Sequence, residues 1–284
     1  MNEIVALPAN WIQWQRAPLT AADYQRLAEA MRFLENPGLV ARLSNSIGMP
    51  VERALAHLPK EWVKPINYLT REALSRAWEV ALWTLPSAKI SHSAHKVLAG
   101  LSGALGGSFG LPSLALELPV SATLMLRAIA ATARELGEDL RDPEAKLACL
   151  EVFALGGKAK TGDAAETGYY AVRAALAKAL EESLRHLMKK GLAKESAPVL
   201  IKLIDAIAQR FSVQVTQKFA LQTLPAIGAV SGAAINFIFM DHFQKTAQAH
   251  FTLRQLERIY GRERIRQAYV ELRLADEDSS ARRV

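Results

Sequence analysis

The sequence predicts an all-α protein, a multi-helix bundle, and three observations predict it. Strand signals are nearly absent: no alternating Val, Ile and Thr run is bounded by turn pairs such as Asn-Gly. Apolar residues recur instead at steps of three and four, the spacing of one helix face. Two long glycine-rich apolar stretches, 97–126 and 219–240, need shelter from water, inside a bundle or against lipid.

Segment 1–20, rich in tryptophan and proline, is expected to be irregular and packed on the surface. Asp142-Pro143 reads as an N-cap followed by proline at the first helical position. Glu144 in the first turn favours the helix dipole, and Gly156-Gly157 ends the helix. Val172, Leu176, Leu180, Leu184 and Leu187 form one apolar stripe, with Arg173, Glu181, Glu182 and Arg185 off it. That helix begins near 164 and stops at Gly191. Ser196 is placed to cap the next, with Pro198 in its first turn and a stripe from Leu200 through Leu203, Ile204, Ile207 and Phe211 to Val215. A third stripe, Leu256, Ile259 and Tyr260, resumes after Gly261 at Ile265, Tyr269 and Leu272. The tail from about 276 to 284, with three acids and two serines, is expected to fray. No composition break marks a boundary, so 1–284 reads as a single domain.

The 284 residues are 50% hydrophobic and 22% charged, enough for a sizeable core and against disorder. The net charge of +7 is scattered: Arg262, Arg264, Arg266 and Arg273 interleave with Glu263 and Glu271. A nucleic-acid binder shows a basic stripe with aromatics, so nucleic acid is not expected as a partner. The single cysteine, Cys149, permits no intrachain disulfide and fits a reducing compartment. The first residues, MNEIVALPANWIQWQ, lack the cationic and apolar regions of a secretory signal, so a cytoplasmic setting is expected.

Residues 97–116 and 219–240 carry no formal charge, and runs of 20 and 22 residues reach the length that spans a bilayer. Small residues four apart, Gly103/Gly107, Gly106/Gly110 and Gly228/Gly232, would let a second helix approach closely. Pro112, Pro119 and Pro225 interrupt a straight helix, and glycines and serines dilute the apolar total. These stretches are therefore expected as buried core or as shallow membrane contact at the inner face, rather than as spans. GGSFG is no phosphate loop, since no Gly-Lys-Ser/Thr follows and no strand precedes.

Glu117 lies between two apolar runs, Arg127 ends the second, and Glu151 sits in LACLEVFAL. A buried carboxylate must pair, accept hydrogen bonds or take up a proton. Glu117, Arg127, Glu151 and Asp241 are the expected members of structural ion pairs. The alternative is a buried carboxylate catalytic site of Glu117, Glu151 and Asp241 with His242. Asn236, Asp241, His242 and His250 form a second constellation, and His92 and His95 are three apart. HExxH and the Glu-x-x-His pattern of di-iron bundles are absent, so no metal and no cofactor is expected. No G-x-S-x-G elbow occurs, and Cys149 in an apolar helix reads as an inert thiol.

The blocks GLSGALGGSFGLPSLALELPVSATLMLR (100–127), ARELGEDLRDPEAKLACLEVFALGG (133–157) and GAVSGAAINFIFMDHFQKTAQAHFTLRQLERIYG (228–261) resemble the EcsC protein family, over about residues 50 to 261. The resemblance implies a bacterial helical protein associated with an ABC transporter. It brings no catalytic residues to carry over. Two functions follow as expectations: a membrane-associated helical accessory protein that meets the membrane surface or ABC transporter components, or a hydrolase, peptidase-like, with a buried carboxylate site.

Overall fold

A computed structural model describes residues 18–35, 38–48, 50–84, 111–155, 168–190, 198–223 and 229–281. Among these the chain is all-α, with no strand. The helices are α1 (Ala21–Glu35), α2 (Leu39–Ile47), α3 (Val51–His57), α4 (Val63–Thr84), α5 (Leu111–Glu135), α6 (Pro143–Leu155), α7 (Tyr169–Lys190), α8 (Pro198–Gln222), α9 (Ala229–Tyr260) and α10 (Arg262–Ala281).

Local chemistry sets several of these boundaries. The Asp23 amide donates to Thr20 Oγ1 at 3.1 Å, and the Thr20 hydroxyl returns a bond to Asp23 at 2.9 Å, a reciprocal cap for α1. The Glu144 amide donates to Asp142 Oδ1 at 2.9 Å and starts α6. Gly261, at φ +90°, separates α9 from α10 with a backbone turn that side-chained residues rarely adopt. α10 continues to Ala281, past position 276 where composition predicts fraying. An Arg273–Glu277 pair at 3.6 Å and one from Arg32 to Asp276 at 3.5 Å accompany its last turns.

The most enclosed helix is α6: every residue from Ala145 to Leu155 is buried. It packs against α5, α7, α8 and α9. Beside it, Phe153 meets Phe211 edge-on at 4.9 Å, and Phe243 packs on Phe211 at 5.3 Å and Phe239 at 5.2 Å, geometries that suit the aromatic quadrupole. The α7 and α8 stripes face this core: Val172, Leu176, Leu187, Leu200, Leu203, Ile204, Ile207, Phe211 and Val215 are buried. The 32-residue α9 is the spine, touching α1, α2, α5, α6, α8 and α10.

The two glycine-rich stretches are placed differently. Of the first, residues 111–126 lie in α5; Gly103, Gly107 and Gly110 fall outside the described residues, as do His92 and His95. α5 runs through Pro119 without ending. The proline and its neighbours Leu116 and Val120 lie towards the open side, where water can satisfy the carbonyl that loses its donor. The second stretch is no single helix: α8 closes at Gln222 and α9 opens at Ala229. Gly228 is outside the described residues, and Gly232 lies in the first turn of α9.

Candidate functional site

Between Ala145 and Leu155, where α6 is enclosed, a carboxyl is held away from bulk water. Glu151 is the carboxyl so trapped, only 3% exposed. It reaches the floor of a cleft of about 750 Å³ formed with α1, α7, α9 and α10. Its Oε1 has no hydrogen-bond partner among the described residues. Its Oε2 is 3.9 Å from Nε2 of His250, a fully buried residue on α9, and that Nε2 likewise has no hydrogen bond among the described residues.

The imidazole is oriented from its other side. Arg173 Nη1 donates to the Tyr169 phenol oxygen at 3.2 Å, and that oxygen lies 2.9 Å from His250 Nδ1. With its oxygen accepting from the guanidinium, the phenol proton is directed to Nδ1. The neutral ring then carries its own proton on Nε2, facing Glu151; this tautomer is assigned from the network. Arg173 in turn is held by Glu257 at 2.7 and 3.3 Å, and Tyr170 donates to Glu257 at 3.2 Å. Hydrogen bonds thus link Glu257, Arg173, Tyr169 and His250, and the Glu151 carboxyl lies 3.9 Å beyond the end of that chain.

Burial dominates the proton affinities at the end of this chain. It raises the Glu151 pKa; Arg173 and Arg254 oppose the rise and Glu257 adds to it. Burial, with the fields of Arg173 and Arg254, lowers His250 well below the usual imidazole range and keeps it neutral. Burial also drives the Cys149 thiol upwards, which makes it inert.

Glu35, the last residue of α1, secures the start of α7. It accepts from the Tyr269 hydroxyl at 2.6 Å and from the Tyr169 amide at 3.3 Å, a carboxylate at a helix N-terminus. Gly168 makes this approach feasible: it sits at φ +120°, and a Cβ there would collide with the Glu35 carboxylate. On the far side, Arg254 donates to Glu138 at 2.8 Å and to Glu144 at 3.3 Å. At the rim, Arg262 stands 3.5 Å from Glu144 and Arg266 3.9 Å from Glu263.

The other expected site residues lie elsewhere. Glu117 meets Lys218 Nζ at 2.5 Å; both are buried. Burial raises the Glu117 pKa, but the Lys218 charge and hydrogen bonds from Lys218, Asn236 and Gln222 outweigh it, so the net shift is downwards. Lys218 also lies 5.3 Å from the Phe239 ring centre. Asp241 pairs with Arg42 and with Lys245, the latter at 3.0 Å. His242 is buried against Phe33 and Phe243. Arg127 is half-buried, and its Nε has no hydrogen-bond partner among the described residues. Asn236 and Asp241 precede His250 on α9 by about 21 and 13 Å of rise, so three polar centres are strung along one helix and do not merge. Among the described residues no three His, Cys, Asp or Glu side chains converge to hold a metal ion.

Sequence reasoning missed Lys218, Arg42 and Glu35 as partners and put Arg173 off the apolar stripe without naming a partner for it. Two residues of the cleft, Arg173 and Arg254, carried a local signal in their i, i+4 spacing from Tyr169 and His250 behind it, though neither pair names its partner helix.

No curated protein and no solved structure matches this chain. The family model of the EcsC protein family matches residues 51–256, which include Glu151, Tyr169, Arg173, His250 and Arg254. The chain belongs to the EcsC protein family.

Proposed function

We propose that the cleft is a hydrolytic acid–base site in which Glu151 handles the proton. The observation that supports this reading is a buried carboxyl that lines an open cleft with one oxygen unpartnered among the described residues. Removing a carboxyl from water raises its pKa, which brings proton uptake and release closer to the pH at which an enzyme works. As base, Glu151 takes a proton from water while the water oxygen bonds to a carbonyl carbon. As acid, it returns that proton to the leaving oxygen or nitrogen as the old bond breaks. The Tyr169–His250 pair orients the carboxyl from behind, and Arg173 and Arg254 balance the negative charge that forms on it. The test is hydrolysis of a panel of p-nitrophenyl esters of N-acetyl amino acids by the full chain. Glu151→Gln should lower kcat by about 100-fold or more, the usual size of an acid–base contribution. Equal rates in the two proteins, or no enzymatic hydrolysis across the panel, would contradict the reading.

A second reading rests on α5. It is the one helix among the described residues long and apolar enough to cross a membrane, with mean hydropathy 1.5, and 56% of that apolar window is buried. Leu116 is 78% exposed and Val120, one turn on, 51%. That face suits shallow contact with the cytoplasmic leaflet, beside the ABC transporter components that the family resemblance implies. Anionic vesicles at low salt should sediment the protein, and Leu116→Asn with Val120→Asn should abolish this. Sedimentation that the double variant leaves unchanged would remove α5 as the contact.

A further inference from the structure

The polar groups around the cleft are already balanced against one another. In its depth Arg173 is matched by Glu257 and Arg254 by Glu138, with only 18% and 12% of the two guanidinium side chains exposed. At the rim Glu144 lies between Arg254 and Arg262, while Glu263 stands beside Arg266. Glu35 is occupied by the Tyr269 hydroxyl and the amide that opens α7. The feature left over is Glu151, 3% exposed, with Oε1 unpartnered among the described residues. Beside Tyr170, Arg173 and Glu181, the lining from α7 carries an apolar strip. Ala171, Ala174, Ala177, Leu180 and Leu184 follow one side of α7 over about 20 Å of rise.

A charged group entering this floor would lose its hydration and find each guanidinium and most carboxylates already engaged. A buried ion without a partner is costly, whereas a neutral carbonyl or amide needs only one hydrogen bond. The apolar wall of α7 adds contact for an aliphatic neighbour. We infer that the cleft between α7 and α10 selects an uncharged ester or amide, its carbonyl group at Glu151 and its apolar substituent along Ala171–Leu184. This inference takes the reacting position from the acid–base reading above and adds the substrate class.

The experiment compares three near-isosteric probes on the full chain by calorimetry and ligand-observed NMR: N-acetyl-leucine methylamide (neutral), N-acetyl-leucine (an anion) and leucine methylamide (a cation). The neutral probe should bind at least about tenfold more tightly than either ion. Ala174→Phe, at an exposed position in the wall, should weaken it by about tenfold or more without unfolding the protein. A charged probe that binds as well as the neutral one overturns the inference, as does neutral binding that Ala174→Phe leaves unchanged or that is undetectable at millimolar concentration. The two proposals fail separately. Selective binding of the amide without hydrolysis of the matching ester sinks the hydrolytic reading alone, and Glu151-dependent hydrolysis with no preference for neutral probes sinks this one alone.

Discussion

Glu117 and Glu151 are both carboxyls carried inside by apolar helices, and their surroundings drive them in opposite directions. Glu117 meets a lysine and two side-chain amides, so the ionised form is favoured; Glu151 faces a neutral imidazole, and burial prevails. The Lys218–Glu117 pair is therefore a structural contact whose loss is asymmetric. Lys218→Met leaves a buried carboxylate without its cation and should destabilise the protein by about 3–5 kcal/mol. Adding Glu117→Gln should recover most of that loss in urea unfolding, and a double variant as unstable as Lys218→Met would refute the pairing. That Glu117 needs a partner was legible from one charge inside an apolar run. The partner was not, because Lys218 is 101 positions away and the register of α5 on α8 is a tertiary fact.

At the scale of elements, caps and stripes carried most of the information. Asp142 starts α6, Gly261 ends α9, and the α7 and α8 stripes face the core, because these features depend on one helix at a time. The same one-helix view gave Arg173 no partner. It lies off the apolar stripe, as a solvated residue would, and only the approach of α9 with Glu257 encloses it. The enclosure of α6 was likewise hidden, since a short, mostly apolar helix does not reveal how many neighbours surround it. The junction of α1 with α7 turns on Gly168. Gly168→Ala should cost about 1–3 kcal/mol through backbone strain, with a further loss from displacing Glu35. Gly48→Ala, at φ +70° with open space around it, is the control and should cost only about 1 kcal/mol. Equal losses in thermal unfolding would show that the Glu35 contact adds nothing at Gly168.

Among the described residues, α9 threads three polar centres through a largely apolar bundle, and of these the one at His250 meets the cleft by way of Glu151. This centre links folding to pH. Above the ordinary carboxylate range the folded chain keeps a proton on Glu151 that the unfolded chain has lost. Its contribution to stability therefore falls as pH rises from about 4.5 towards the raised folded value. Glu151→Gln removes that term. The most direct measurement is the pH titration of the Glu151 side-chain carboxyl by carbon-13 NMR in glutamate-labelled protein, assigned by its disappearance in Glu151→Gln. A midpoint above the usual value of 4.5, moving up or down when Tyr169→Phe releases the imidazole, is what a buried proton-handling carboxyl predicts. A midpoint at or below 4.5, unmoved in Tyr169→Phe, would identify Glu151 as an ordinary ionised group and contradict the acid–base site.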